Sequence, residues 1–342
     1  MSQPPGACRK THEYELGDRL GGGSFGDVFA ATHVPSGRHV AVKRVFERPA
    51  ERGVERPDPA RELRVLESLS HPNVIPLLDH YVGRDGAQML VFPLLGGGTL
   101  ADVLRGAGTG LGEAAAKGFA KQLLSALAYL HDDAGVVHRD LKCSNFLLGD
   151  GGRLYVSDFG QARWLPGAAD ATVAGAAAPT APAAAAVRAR DATRPMTPHT
   201  GTRWLRAPEV LFGSRSYAAA ADVWAVGCIV VELLEGVSPF RAEADIAQLA
   251  SLATKLGFPD EAEWPELGAL PDGDKVLEQD ATRAISLIQR PEAAGELFGW
   301  DWAEDAVGGE DSEDGVDDAF GGQGLWTLPL SSVALAALGW DT

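Results

Sequence analysis

A glycine-rich turn, Gly21-Gly22-Gly23-Ser24-Phe25-Gly26, stands between two stretches that read as strands and is followed by Val28. The G-x-G-x-x-G spacing lets a backbone approach phosphate groups closely and permits positive φ. A plain hairpin turn would use the same residues. Strand–turn–strand order argues against a dinucleotide site, which needs a helix after the turn. Val40-Ala41-Val42-Lys43 begins 14 residues after Gly26 and puts a lysine inside an apolar strand. A buried ammonium is costly unless paired. Glu62, beside Leu63, Leu66 and Leu69 at helical spacing three, is the partner at hand. Farther along, His138-Arg139-Asp140-Leu141-Lys142-Cys143-Ser144-Asn145 ends 13 residues before Asp158-Phe159-Gly160.

The elements that must position these residues fall into two textures. Short apolar runs at Tyr14–Leu20, Asp27–Thr32, His39–Val45, Val74–Tyr81 and Gln88–Phe92 have the length and β-branched content of strands. From Leu111 onward the apolar spacing is mostly helical, at Ala114–His131, Ala218–Glu235 and Ala242–Leu256. Strands followed by helices predict two lobes with a cleft between them. Residues 165–194 hold 14 alanines and three prolines without an apolar period, and read as a low-complexity loop.

The glycine turn, the Val-Ala-Val-Lys strand, the His-Arg-Asp loop, the Asp-Phe-Gly triplet and Ala207-Pro208-Glu209 together resemble the motif set of eukaryotic protein kinases, in order and rough spacing. The resemblance implies a bilobal α+β fold, with an antiparallel N-lobe sheet carrying one helix and a mainly helical C-lobe. It implies ATP and Mg2+ as cofactors. In such enzymes catalysis is mostly positioning and charge stabilisation. By the family pattern Lys43, held by Glu62, binds the α- and β-phosphates. Asn145 and Asp158 supply hard oxygen ligands for Mg2+. Asp140 accepts the proton of the attacking hydroxyl, Lys142 neutralises charge on the transferred phosphate, and Thr202 completes the catalytic set. Lys142, two residues after Asp140, resembles the serine/threonine class. The nucleotide contacts would be Leu20, the turn Gly21, Gly22, Gly23, Ser24, Phe25 and Gly26, then Val28, Ala41, Lys43, Phe92, Pro93, Leu95 and Leu147. Pro93 keeps its carbonyl acceptor and loses only its N–H.

Gly201-Thr202-Arg203-Trp204-Leu205-Arg206-Ala207-Pro208-Glu209 is similar to the matching segment of cyclin-dependent kinases, with Leu205 in place of Tyr. Asp222-Val223-Trp224-Ala225-Val226-Gly227-Cys228-Ile229 resembles the anchoring helix of that group, and Trp264-Pro265-Glu266-Leu267 its later insert. The chain resembles the cyclin-dependent-kinase-like (CMGC) group most, near the cell-cycle-related and kinase-activating branch. This implies an activating phosphate on Thr197, received by Arg61, Arg139 and Arg163. It also implies a substrate pocket shaped by Gly201 and Arg206 that takes Ser/Thr-Pro, and an ion pair between Glu209 and Arg290. Departures are Pro57-Asp58-Pro59-Ala60-Arg61-Glu62 in the cyclin-facing helix, Cys143 for the usual Pro and Gln161 for the usual Leu. No Thr-x-Tyr pair occurs in the activation loop, against a mitogen-activated kinase.

Composition sets the outer bounds. With 342 residues, 45% hydrophobic and 23% charged, the chain has material for a large core. The net charge of −17 is concentrated in residues 301–342, which hold ten acids and no Lys or Arg; the rest is −7. No basic surface for nucleic acid is expected. Three scattered cysteines, no apolar leader and no membrane-length apolar run point to an intracellular protein, nuclear or cytoplasmic, with no membrane partner. The expected layout is a tail at 1–13, a kinase domain at 14–300 divided at 93/94, and an acidic tail at 301–342. The family pattern itself thins out near Leu277. Expected partners are protein substrates, an upstream kinase for Thr197, and a cyclin or other activator. The alternative reading is a pseudokinase or scaffold with a degraded C-lobe.

Overall fold

In a computed structural model the described residues are 13–23, 26–45, 59–165, 201–215, 219–257 and 264–271. Strands β1 (Tyr14–Gly23), β2 (Gly26–His33), β3 (Arg38–Val45), β4 (Asp79–Val82) and β5 (Gln88–Pro93) form one antiparallel sheet in the order β1-β2-β3-β5-β4. Helix α1 (Pro59–Glu67) lies between β3 and β4 in the chain. Of the expected strand Val74–Tyr81 only Asp79–Tyr81 pairs as strand, within β4. Val74 instead makes an isolated parallel bridge to Val156. Pro76 lies between them and has no N–H for a ladder.

The register divides the side chains of the sheet. Val40 and Val42 face Ala31, Tyr81, Met89 and Val91 in a small N-lobe core. The alternate residues Ala41 and Lys43, with Val28 opposite Lys43 and Phe92 opposite Ala41, share the other face. That face looks toward the cleft.

The large core lies beneath it. Helix α2 (Leu100–Ala107) precedes α3 (Glu113–Ala128), which packs against α5 (Ala219–Glu235). Ala116, Ala120, Leu123 and Leu127 of α3 and Ile229 and Leu233 of α5 are essentially buried in the one core. Full burial of each such Leu or Ile stabilises by about 1.5–3 kcal/mol. The expected helix Ala114–His131 runs as α3 and then widens into a π-turn, Tyr129–Asp133. Short strands β6 (Val136–Val137), β7 (Phe146–Leu148), β8 (Leu154–Val156) and β9 (Arg163–Trp164) carry the loops between them. A short helix α4 (Pro208–Leu211) precedes α5, and α6 (Asp245–Leu256) follows it. The expected helix from Ala242 begins three residues later. The Ala242 and Glu243 carbonyls accept hydrogen bonds from Trp204 Nε1 and from Arg203. Among the described residues no helix is long and apolar enough to cross a membrane.

Two local devices fix the frame. Thr99 and Asp102 form a reciprocal capping box at α2: Asp102 N–H donates to Thr99 Oγ1 at 3.1 Å, and Thr99 N–H to Asp102 Oδ2 at 2.9 Å. Just before it, Gly97 N–H donates to Leu148 O and Leu148 N–H to Gly98 O, clasping the interlobe linker to β7. A Cβ on Gly97 would meet Leu148 O at 2.5 Å, so the approach requires glycine. Asp222, 1% exposed on α5, accepts the backbone N–H groups of His138 and Arg139 at 2.8 Å each, and lies 2.9 Å from His131 Nε2. Burial works against its charge, but His131 and these donors outweigh it and hold the carboxyl below its ordinary value.

Replacing Asp222 by Ala leaves two buried N–H groups without their acceptor and is expected to destabilise the fold by about 3 kcal/mol, with Asp222→Asn costing less, as read by urea unfolding. Thr99→Ala is expected to cost about 1 kcal/mol at neutral pH. The Thr99 hydroxyl and N–H hold the Asp102 carboxyl down at about 2 from 3.8. Its contribution is complete above 3.8 and fades as pH falls toward 2, so the gap between Thr99→Ala and the parent should narrow over that interval.

Candidate active site

Lys43 is the centre of the cleft. On β3 its side chain leaves the sheet on the same face as Ala41, Val28 and Phe92. Its Nζ lies 2.6 Å from Glu62 Oε1 on α1 and 2.6 Å from Asp158 Oδ1 beyond β8. Lys43 is 7% and Glu62 2% exposed. Burial alone would depress the ammonium, yet Glu62 and Asp158 outweigh it and hold the Lys43 pKa above its ordinary value. Burial opposes charge on Asp158 too, but Lys43 keeps that carboxyl below its ordinary range. On Glu62 burial raises the carboxyl pKa while Lys43 draws it back.

The catalytic loop sits opposite. Lys142 Nζ donates to Asp140 Oδ2 at 2.7 Å, Thr202 Oγ1 to Oδ1 at 3.4 Å, and Asn145 Nδ2 to the Asp140 carbonyl at 2.7 Å. These contacts leave the Asn145 amide oxygen and one Asp158 oxygen for a ligand. His138 ties the two loops: its Nε2 faces Ser157 O at 2.9 Å, its Nδ1 accepts the Asp140 N–H at 3.3 Å, and its ring packs edge-on against Phe159 at 4.9 Å. Arg139 and Asp158 are the described non-glycine residues with positive φ, 70° and 61°. Such conformations persist only where surroundings over-determine them. Asp222 does this for Arg139, and the Lys43 contact does it for Asp158.

The substrate side is built by the segment 201–206. Gly201 has φ +81°, and a Cβ there would meet Arg139 O at 2.6 Å. Arg206 Nη2 donates to the Gly201 carbonyl at 3.1 Å. Gly201, Thr202, Leu205, Arg206, Ala207 and Val210 form one wall of a pocket whose other side is Arg139, Asp140, Leu141 and the start of α5.

Of the nucleotide contacts expected from sequence, Val28, Ala41, Lys43 and Phe92 share the cleft face of the sheet. Gly21, Gly22, Gly23 and Gly26 close the β1–β2 hairpin, Leu20 is exposed on β1, and Pro93 and Leu95 lead out of β5. Leu147 lies on β7, bridged to Thr99. Arg61, Arg139 and Arg163 are buried around the segment 159–163: α1 packs on Phe159–Gln161, Arg139 Nε donates to Gln161 O at 2.6 Å, and Arg163 pairs with Val137 on β6. Ser24, Phe25, Thr197, Arg290, the loop from 166 and the tail 301–342 lie outside the described residues. Leu165, taken from sequence as the start of that loop, instead donates its N–H to Gly135 O and packs on the core. Burial pushes the Glu209 carboxyl up, and no described residue forms an ion pair with it. Cys143, in the place of the usual proline, donates its thiol to Glu232 at 3.5 Å, and burial raises its pKa well beyond reactivity. Sequence reasoning passed over Asp245, which joins Arg203 and Arg206; two arginines three apart next to a predicted pocket were the signal that a carboxylate had to face them.

Comparison with known proteins agrees with this geometry. A family model described as the protein kinase domain matches residues 14–289. Cyclin-dependent kinase 20 of Homo sapiens is 36% identical over 265 residues, covering 77% of this chain and 69% of that protein. Cyclin-dependent kinase 7 of Xenopus laevis is 35% identical over 266 residues, covering 77% and 68%. A solved structure of the CAK complex from Chaetomium thermophilum bound to ATP-gamma-S superposes with a TM-score of 0.62 at 29% identity, over 76% of this chain and 74% of that one. With the lysine, the two carboxylates and the catalytic loop assembled as that family requires, the chain belongs to the protein kinases, as a cyclin-dependent-kinase-like serine/threonine protein kinase.

Proposed function

We propose that the chain transfers the γ-phosphate of Mg·ATP to serine or threonine followed by proline in protein substrates. The observation that carries the transfer is Lys43 held at 2.6 Å by both Glu62 and Asp158, across the cleft from the Asp140–Lys142–Thr202 cluster. Lys43 would orient the α- and β-phosphates, and the adenine would lie between Ala41, Val28 and Leu147 with Phe92 behind it. Asp140 would accept the hydroxyl proton while Lys142 screens the transferred group. The solved relative bound to ATP-gamma-S supports ATP as donor.

The donor set fits magnesium. Asn145 and Asp158 offer hard oxygens, and among the described residues no group of three His, Cys, Asp or Glu side chains is placed to hold a metal by itself. Mg2+ prefers that: one or two protein oxygens, with substrate phosphates and water completing its shell. When bound, the ion neutralises phosphate charge; the residues' own part is to hold their oxygens in place.

Proline direction rests on Gly201. Its left-handed φ of +81° and the bond from Arg206 hold its carbonyl toward that arginine, so it is not free to turn and accept an N–H from the residue after the phosphoacceptor. Proline has no N–H to leave unsatisfied, whereas any other residue does. Activation by phosphate on Thr197 is supported by the resemblance and by the three arginines around 159–163. The CAK relative supports an activator chain as partner, and a cell-cycle or transcription-linked role inside the cell follows from the same kinship.

Purified full-length protein with Mg·ATP is expected to phosphorylate a Ser/Thr-Pro peptide library, and Asp158→Asn to lower kcat by at least about 10²–10³-fold. Absence of transfer by the parent chain, even after Thr197 is phosphorylated by an activating kinase, would overturn the catalytic reading in favour of a scaffold.

A further inference from the structure

The carbonyl of Gly201 is held by Arg206, but Arg206 is a long side chain that must itself be held. Its Nη1 lies 3.1 Å from Asp245 Oδ1, and the same oxygen is 2.7 Å from Arg203 Nε. Asp245 is the first residue of α6, about 40 positions from the pocket in sequence. The helix start is pinned from the same side: Gln248, fully buried one turn on, donates from Nε2 to Trp204 O at 3.2 Å, and Arg241 stacks over the Trp204 ring at 4.6 Å. A charged bond between Arg206, 10% exposed, and Asp245, 24% exposed, is only partly screened by water. Its geometry matters because guanidinium nitrogens are coplanar: fixing Nη1 on the carboxylate sets the direction in which Nη2 meets the Gly201 carbonyl.

We propose that Asp245 is a specificity-determining positioning residue. It orients Arg206 so that the Gly201 carbonyl stays occupied, and so sets how strongly the pocket prefers proline over residues that bring an N–H. The inference rests on the proline-directed reading above and adds the residue that enforces it. Without the carboxylate the arginine loses a charged anchor that fixes its plane, its hold on the carbonyl weakens, and a non-proline substrate gains an acceptor.

The experiment uses the full-length chain and two peptides identical except for Pro or Ala after the phosphoacceptor serine, with kcat and KM measured on each. In Asp245→Ala the Pro/Ala ratio of kcat/KM is expected to fall by about tenfold, the scale of one lost charge-assisted hydrogen bond. The change should come largely through a lower KM for the Ala peptide. A merely structural loss would lower both peptides together. Asp245→Asn keeps the shape and one neutral acceptor; it should give a smaller fall, and it carries the test if the alanine variant does not fold. Lys255→Ala, near the far end of α6, should leave the ratio unchanged. A parent enzyme that prefers proline together with variants that keep its ratio, or an equal fall in Lys255→Ala, overturns the role of Asp245 alone. A parent enzyme with no preference overturns the proline-directed reading and this inference with it.

Discussion

A buried ammonium needs its charge answered, and in this protein the answer comes from both lobes at once. Lys43 leaves the N-lobe sheet; Glu62 comes from α1, and Asp158 from the loop after β8. Removing one partner of a buried ion pair typically costs about 3–5 kcal/mol, because the remaining charge stays desolvated. The pairing therefore fixes more than a side chain. It sets where α1 rests against Phe159–Gln161, how the catalytic face of the sheet meets the C-lobe, and where the Asp158 carboxylate stands. The large core follows this line, running from Val65 and Leu66 of α1 to Phe159 and on to Phe146 and Ile229.

The second demand is for backbone groups that no regular element can satisfy. The catalytic loop is irregular, so its N–H groups take side-chain acceptors: Asp222 for His138 and Arg139, and His138 Nδ1 for Asp140. The carbonyls that begin α6 are likewise taken by Trp204 and Arg203, which is why that helix starts where it does. The turn leading into α6 has become the attachment point of the substrate segment. Chemistry and scaffold share the same bonds here.

How much of this could be read from the residues depends on how local its cause was. Strands β1, β2, β3 and β5 followed from short apolar runs of strand length and β-branched content between turn signals, and Lys43 with Glu62 followed from the cost of burying a charge. The motifs singled out Asp140, Asn145 and Asp158, which the structure brings to the loops around Lys43 and Lys142, because their spacing is carried by short loops. Pro76 broke a run expected as one strand, and helix α2 was not expected at all, although the Thr99–Asp102 capping box stood in the sequence. By contrast, the grip of Asp222 on two backbone N–H groups 83 and 84 residues away leaves no local trace. Asp245 is of the same kind. Both act at long range through one carboxylate; the motif around Asp222 marked it out as part of the anchoring helix, but nothing in the sequence next to Asp245 distinguishes it from a solvated acid at a helix start.

The linker between the lobes has a consequence for turnover. Pro93 ends β5 with a ring-locked φ of about −65°. Four residues later Gly97 and Gly98 are buttoned onto Leu148. Between these two fixed points lie Leu94, Leu95 and Gly96. A breathing motion that turned about those few torsions would, because Leu95 belongs both to the linker and to the expected adenine contacts, make opening the lobes and loosening the base one movement. Release of spent nucleotide would then be timed by the same bonds that seat the next one.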